Sequence, residues 1–316
     1  MPKSRTALAA EDFAPYLVGP SASAPRKSPP LKLAPVEKPA APFLKWAGGK
    51  TQLLSVFESF YPPKAQVTRF IEPFLGGGAV FFHVRRTLEP QRAFLFDRND
   101  DLITTYAAIK SNADEVVRLL LAHRAKHSET HYYKIRAQDA ATLPPEQRAA
   151  RFIYLNKTCY NGLYRVNSRN QFNVPMGRYV RPSIVDPHNV KAVAASLAKV
   201  HLATRPFTHV TRVAREGDFV YFDPPYDPVS ASASFTSYTQ HNFTAEDQTK
   251  LAQTFALLSE RGCMVMLSNS DTPFVRKLYQ NFHIHRVPAR RSINTRADKR
   301  GSVWEVVVTN YVPPGR

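Results

Sequence analysis

The sequence predicts an α/β fold, a mostly parallel sheet with helices on both faces that also carries an inserted region, mostly helical with one irregular stretch. Three observations predict it. From Phe43 onward, short apolar runs alternate with helix-period patterns, and such alternation is how a parallel sheet comes to be covered on its two faces. One of these runs leads through Phe74-Leu75-Gly76-Gly77-Gly78 straight into a helical pattern, the turn chemistry of a strand-to-helix crossover. Residues 111–205 differ in texture: they are mostly helical by pattern, but 161–179 is broken by Asn, Gly, Arg and Tyr without helical periodicity.

Taken in order, 68–71 reads as a buried strand and 79–86 as the helix after the glycines. Residues 93–96 read as a second strand and 99–110 as its helix. Later, 219–222, 263–267 and 303–311 are strands, and 244–259 is a helix with Leu251, Phe255 and Leu258 at helical spacing. Ahead of all this, seven prolines fall between Pro20 and Pro42 among Ala, Ser and Lys, which leaves too little apolar matter to offset the entropy of ordering. The expected organisation is therefore a disordered Pro/Ala-rich tail over 1–41, a sheet domain formed by 42–110 and 206–316, and an insertion over 111–205. An insertion near the carboxyl ends of the strands is well sited to touch a second substrate.

A chain of 316 residues with 43% apolar content can bury a full core. No run of about 18 apolar residues exists, so no membrane span is expected, and residues 1–19 lack the uninterrupted apolar segment of a secretory signal. Two distant cysteines, Cys159 and Cys263, suit a reduced, intracellular setting, and no Cys or His cluster has metal-ligand spacing. The charge balance is 43 Lys plus Arg against 25 Asp plus Glu, a formal +18. Such an excess suits a polyanionic partner, of which nucleic acid is the usual one.

Two constellations carry chemistry. Glycines at 76–78 let backbone approach a ligand closely at the start of a helix. Asp97 ends the next strand, where a carboxylate can take both hydroxyls of a ribose. The spacing G-x-G-x-x-G is absent, which disfavours a dinucleotide. The second constellation is Asp223-Pro224-Pro225-Tyr226, directly after the apolar run 219–222. Two prolines fix their own φ angles and remove two backbone donors, leaving carbonyl acceptors. An amine on an aromatic ring is a poor nucleophile because its lone pair is delocalised. Accepting its protons on an aspartate oxygen and a proline carbonyl favours a pyramidal nitrogen with a localised pair. Tyr226 adds a flat face on which an extruded base can stack.

Four motifs in order, Phe43-Leu44-Lys45-Trp46-Ala47-Gly48-Gly49-Lys50, Glu72-Pro73-Phe74-Leu75-Gly76-Gly77-Gly78, Asp97-Arg98-Asn99-Asp100-Asp101-Leu102-Ile103 and the Asp-Pro-Pro-Tyr strip, resemble those of Dam-type DNA adenine-N6 methyltransferases. The resemblance runs from about Phe43 to Tyr311. It implies a class I methyltransferase (Rossmann-like) fold, with S-adenosyl-L-methionine as methyl donor, S-adenosylhomocysteine as product and no metal. It implies cofactor contacts at Trp46, Lys50, Phe74, Gly76, Gly78, Asp97 and Asp223, with Lys50 a partner for the methionine carboxylate. Catalysis falls to Asp223, Pro224, Pro225 and Tyr226, acting on a flipped adenine in double-stranded DNA without a covalent intermediate.

The segment Asn161-Gly162-Leu163-Tyr164-Arg165, continuing to Phe172-Asn173-Val174-Pro175-Met176-Gly177-Arg178-Tyr179, resembles that family's DNA-reading hairpin. DNA contacts are thus implied at Lys45, Asn161, Leu163, Arg165, Pro175, Arg178 and Tyr179, and at Arg291 in a later basic cluster with Arg296, Lys299 and Arg300. Arg165 suits a bidentate contact to guanine, and Leu163 or Pro175 a thymine methyl. Arg169, Arg178 and Arg181 suit phosphates. Lys45, Leu163, Arg165, Pro175 and Tyr179 retain the reading positions of GATC-modifying relatives, so GATC is the expected target. Val180 stands where those relatives often carry lysine, and Ser168-Arg169-Asn170 is not their common loop tip. A cytoplasmic, nucleoid-associated enzyme follows, with a cognate restriction endonuclease as an optional partner and no stable complex between them. Other readings are methylation of cytosine N4, of RNA or of a protein amide, and an inactive DNA-binding regulator. Asp223 argues against the first, because that chemistry usually favours Ser there. The intact strip, Asp97 and Lys50 argue against the last.

Overall fold

The computed structural model describes residues 38–228, 243–290 and 302–314. The elements run α1 (Leu54–Glu58), β1 (Arg69–Glu72), α2 (Ala79–Thr87), β2 (Arg92–Asp97), α3 (Asp100–Ala125), α4 (Glu129–Arg136), α5 (Pro145–Thr158), α6 (Pro187–Ser196) and β3 (Val200–Thr204). They continue with α7 (Val210–Val213), β4 (Phe219–Phe222), α8 (Ala245–Glu260), β5 (Met264–Ser270), α9 (Pro273–Leu278), β6 (His283–Arg290) and β7 (Ser302–Thr309). Seven strands form one sheet in the order β3-β2-β1-β4-β5-β7-β6. The first five in that order are parallel, and β7 runs antiparallel between β5 and β6.

The central strands read as continuous apolar runs because both their faces are covered. Successive residues of β4 alternate between two cores. Phe219 and Tyr221 join one with Phe70, Phe81, Leu102 and Tyr106, whereas Val220 and Phe222 join the other with Ile71, Leu251, Phe255 and Val275. Helices α2 and α3 thus cover one face, and α7, α8 and α9 the other. Helix starts follow local chemistry: Asn99 accepts from the Leu102 amide at 3.0 Å, and Thr244 with Asp247 forms a reciprocal capping box at the head of α8.

Several expectations are corrected. The helix expected over 99–110 runs on within α3, but Asn112 leaves helical geometry (φ −151°, ψ 64°) and its side chain accepts from Glu115, restarting the helix as a cap would. Residues 200–204, counted with the insertion, pair parallel with β2. This edge strand is mostly half-exposed, so its Val-His-Leu-Ala-Thr run lacks the apolar signature of the inner strands. Strand β6 was not expected: its histidines and Pro288 mask it, and an edge strand tolerates both. Within the span read as tail, Ala41 exchanges two hydrogen bonds with Asn189, at 2.9 and 3.0 Å; residues 1–37 of that span lie outside the described residues. No helix among the described residues is long and apolar enough to cross a membrane.

Residues 126–199 pack chiefly through α5, which lies along α3 and buries Phe152, Ile153, Tyr154 and Leu155. Arg151 of α5 is buried and donates to the carbonyls of Ile135 and Arg136 at 3.1 and 2.9 Å, closing the C-terminal end of α4 with a cation. The sheet order contains a switch point. From β1 the chain steps to β2 and β3 on one side, then returns to β4 and β5 on the other, so the carboxyl ends of β1 and β4 flank the switch point where such sheets take ligands.

Candidate active site

The two motifs singled out from sequence meet at that switch point, one leaving β1 and the other β4. After β1 the chain turns through Gly76 (φ 48°) and Gly78 (φ 70°), a left-handed backbone that glycine adopts without strain. A Cβ at Gly76 would sit 2.9 Å from the Trp46 ring and one at Gly78 2.7 Å from the Tyr106 hydroxyl. Trp46 therefore lies directly against the glycine turn. Asp97, at the end of β2, accepts from the amides of Gly76 at 3.0 Å and Asn99 at 2.9 Å. Burial raises its pKa against those amides. Phe74 stacks on Phe207, with centroids 5.4 Å apart, and meets Phe243 edge-on at 5.8 Å.

Glu72, the last residue of β1, is buried between the two acids of the site. Burial raises its pKa well above the carboxylate range, and Asp223 and Asp97 add to the rise; the Phe81 amide opposes it. Its second oxygen has no hydrogen-bond partner among the described residues. The sequence marked Glu72 only as part of a motif; an acid directly after the apolar pair Phe70-Ile71 was the available signal.

At the head of the second motif, Asp223 pairs with Lys50 at 2.8 Å and accepts from Ser268 at 3.2 Å. Ser268 in turn shares a 2.7 Å hydrogen bond with the buried Tyr221 hydroxyl. Burial raises the Asp223 pKa, with Lys50 and Ser268 holding it down in part. The Lys50 ammonium also donates to the Gly48 carbonyl at 2.6 Å and stands 4.4 Å from the centre of the Tyr226 ring. Tyr226 donates to Glu305 at 2.9 Å. The strip is braced from beneath: Gln248 of α8 donates to the Pro225 carbonyl at 3.0 Å, and Asn269 of β5 donates to Gln248 at 3.0 Å while accepting from the Asp227 amide at 3.1 Å. Pro225 thus spends its carbonyl on Gln248, whereas that of Pro224 accepts no hydrogen bond among the described residues. Ser268 and Asn269 directly follow the run read as a strand over 263–267, where β5 continues past its expected end. Gln248, on a helix face, carried no signal.

The segment 159–179 is a hairpin pinned by two isolated antiparallel bridges, Cys159 with Met176 and Val166 with Phe172. Asn161 (φ 53°) and Gly162 (φ 65°) turn its first arm, and Gly162 has no room for a Cβ because Lys45 lies against it. The Lys45 ammonium rests 3.8 Å from the centre of the Tyr179 ring, so these two candidates are brought together. Arg165 is held across the hairpin by Asn173, 2.7 Å from its Nε. Leu163, Pro175 and Arg178 are exposed, as is Tyr160. An exposed aromatic offers a stacking surface, and the sequence reading passed over Tyr160. Arg291, with Arg296, Lys299 and Arg300, lies outside the described residues.

Comparison with known proteins gives the family. The family model for the D12 class N6 adenine-specific DNA methyltransferase matches residues 46–293, which takes in both motifs, the hairpin and most of the sheet. The Type II methyltransferase M1.LlaDCHI of Lactococcus lactis subsp. cremoris is 42% identical over 276 residues, 85% of this chain and 95% of its own. The Type II methyltransferase M.MjaIII of Methanocaldococcus jannaschii is 41% identical over 285 residues, covering 85% and 99%. The DNA adenine methylase of Escherichia coli K12 is 37% identical over 268 residues, covering 84% and 93%. With a matching model over most of its length and relatives aligned nearly end to end, the chain belongs to the D12 class of N6 adenine-specific DNA methyltransferases.

Proposed function

We propose that this DNA adenine methyltransferase takes its methyl group from S-adenosylmethionine and delivers it to the N6 amine of an adenine turned out of double-stranded DNA, within GATC. The observation that carries the reading is the meeting, at one switch point, of a glycine turn with a ribose-type acid and an Asp-Pro-Pro-Tyr strip. The residues fit the cofactor: glycines whose Cβ positions are barred, Trp46 and Phe74 as flat apolar walls, and a carboxylate at Asp97. Trp46, Lys50, Phe74, Gly76, Gly78, Asp97 and Asp223 would hold it. An ammonium has three donors, and Lys50 spends two of them on Asp223 and Gly48, which leaves one for the methionine carboxylate.

When bound, S-adenosylmethionine supplies an electrophilic methyl group. The chain's own residues prepare the nucleophile. A free Asp223 oxygen and the Pro224 carbonyl accept hydrogen bonds from the two amine N–H groups, which localises the nitrogen lone pair toward the cofactor side. Asp223 also neutralises positive charge building on that nitrogen, so acceptor geometry replaces a general base at the transfer step; the carbon–nitrogen bond forms as the methyl–sulfur bond breaks, and the cationic nitrogen then releases one of its two protons past the Asp223 carboxylate to solvent. Lys50 takes one face of the Tyr226 ring, and the other suits the extruded adenine. Along the hairpin, Arg165 is the guanine reader, Leu163 and Pro175 meet thymine methyls, and Lys45, Asn161, Arg178 and Tyr179 hold the duplex. Such an enzyme acts at the nucleoid and need not form a complex with any cognate endonuclease.

The test is incubation of the purified protein with unmethylated DNA and labelled S-adenosylmethionine, followed by mapping of modified bases. N6-methyladenine confined to GATC is the expected result. Confinement to another short motif would replace the target and keep the chemistry. Absence of transfer despite binding of both substrates would overturn the mechanism.

A further inference from the structure

Tyr164 sits between the two proposed readers, Leu163 and Arg165, yet its side chain turns toward the cofactor side. Its ring stacks on Trp46, with centroids 6.2 Å apart and planes at 25°, and packs against Phe152 at 5.3 Å and Phe172 at 5.9 Å. Its hydroxyl donates to Asp101 at 3.1 Å, in the first turn of α3, four residues after Asp97. Asp101 is itself fixed by Arg148 at 2.6 Å. Trp46 in turn lies against the glycine turn so closely that Cβ atoms at Gly76 and Gly77 would come within 2.9 and 3.1 Å of it.

A second fastening runs parallel. Asn156, buried in α5, accepts from the Lys45 amide at 2.8 Å and donates to the Lys45 carbonyl at 2.7 Å and the Gly162 carbonyl at 3.1 Å. The reading loop is thus tied through its backbone at 162 and its side chain at 164 to the segment 45–46. A ligand settling on the glycine turn meets the Trp46 ring, and closely packed rings pass on a displacement instead of absorbing it.

From this geometry we infer that Tyr164 is a positioning residue that couples cofactor occupancy to target reading, through Trp46 and Asp101 on one side and Leu163 and Arg165 on the other. The inference rests on the proposed cofactor and DNA sites. Coupling of this kind is reciprocal: the factor by which cofactor tightens target DNA equals the factor by which target DNA tightens cofactor.

The experiment measures binding of a duplex carrying the mapped motif, and of a scrambled duplex, with and without saturating S-adenosylhomocysteine, in the full chain and in Tyr164→Ala and Tyr164→Phe. In the parent, S-adenosylhomocysteine is expected to tighten the motif duplex by roughly 5- to 150-fold, the usual span of such couplings. Tyr164→Ala should bring that factor to within about twofold of unity. Tyr164→Phe, which keeps the stack and loses the Asp101 bond, should fall between. A purely structural role would weaken each affinity without changing the factor, and an unchanged factor in Tyr164→Ala would overturn the inference. So would a parent chain that binds both ligands with no coupling. A parent that does not bind S-adenosylhomocysteine at all would instead strike down the proposed cofactor site, so the two failures are told apart.

Discussion

The strip after β4 and the hairpin at 159–179 are both irregular segments, and they are held in different ways. Asp223 to Tyr226 stand on a network of buried polar side chains, with Ser268 and Tyr221 behind Asp223 and Gln248 and Asn269 behind Pro225. The hairpin forms no regular strand: two isolated bridges and a few cross-hairpin hydrogen bonds hold it, while Leu163, Pro175 and Arg178 face outward. The difference follows from the work proposed for each. Groups that shape a transition state act through geometry fixed in advance, whereas groups that read base edges must be exposed and need only an anchored backbone. In this chain Asn156, Asn173 and Tyr164 supply the anchoring.

Substitutions can break or sharpen that contrast. The largest effect is expected from Asp223→Ala, which should lower kcat by roughly 10³-fold or more, about 4 kcal/mol of transition-state stabilisation, while the hairpin still binds DNA. Single-turnover methyl transfer and a gel-shift assay check both halves, and substantial residual turnover would refute the role of Asp223. Arg165→Ala should do the reverse, leaving transfer chemistry intact and costing about 1–3 kcal/mol of discrimination at one base pair. Affinities for a panel of single-substituted duplexes decide it, since a uniform loss on all of them would make Arg165 a phosphate contact.

Gln248→Ala tests the bracing itself. It strands the buried Asn269 amide and frees the part-buried Pro225 carbonyl, so a loss of about 1–3 kcal/mol in stability is expected, with kcat reduced by roughly tenfold as the strip loosens. Thermal unfolding beside steady-state kinetics would show whether both move; stability loss with full kcat would mean the strip is held without it.

The smallest effect concerns Glu72. Burial and its acidic neighbours raise its folded pKa well above the carboxylate range, so between the unfolded and folded values the native state holds a proton that the unfolded chain releases. Its contribution to stability therefore falls as pH rises through that window, by at most about 1.4 kcal/mol per pH unit. Glu72→Gln removes the titration, and the variant should gain on the parent as pH rises. Denaturant unfolding across pH gives the slopes, and equal slopes would show that Glu72 does not titrate there.

Much of this molecule was legible in its sequence, because local rules govern what was read. Apolar runs buried on both faces announced β1, β2, β4 and β5, and the glycines before α2 announced a turn that no side chain would fit. The Asp-Pro-Pro-Tyr strip was visible because its residues are contiguous. What only the tertiary structure decided are pairings between residues remote in the chain. Lys50 meets Asp223, Gln248 meets Pro225, Asn156 ties Lys45 to Gly162, and Tyr164 reaches both Trp46 and Asp101. The edge strands β3 and β6 belong with these, since half-exposed residues carry little periodic signal and are assigned by the neighbour they pair with. Periodicity, turn chemistry and contiguous motifs are properties of a short stretch of chain. A buried polar partner is chosen by whatever the folded sheet brings within about 3 Å, and nothing in the local sequence encodes which residue that will be.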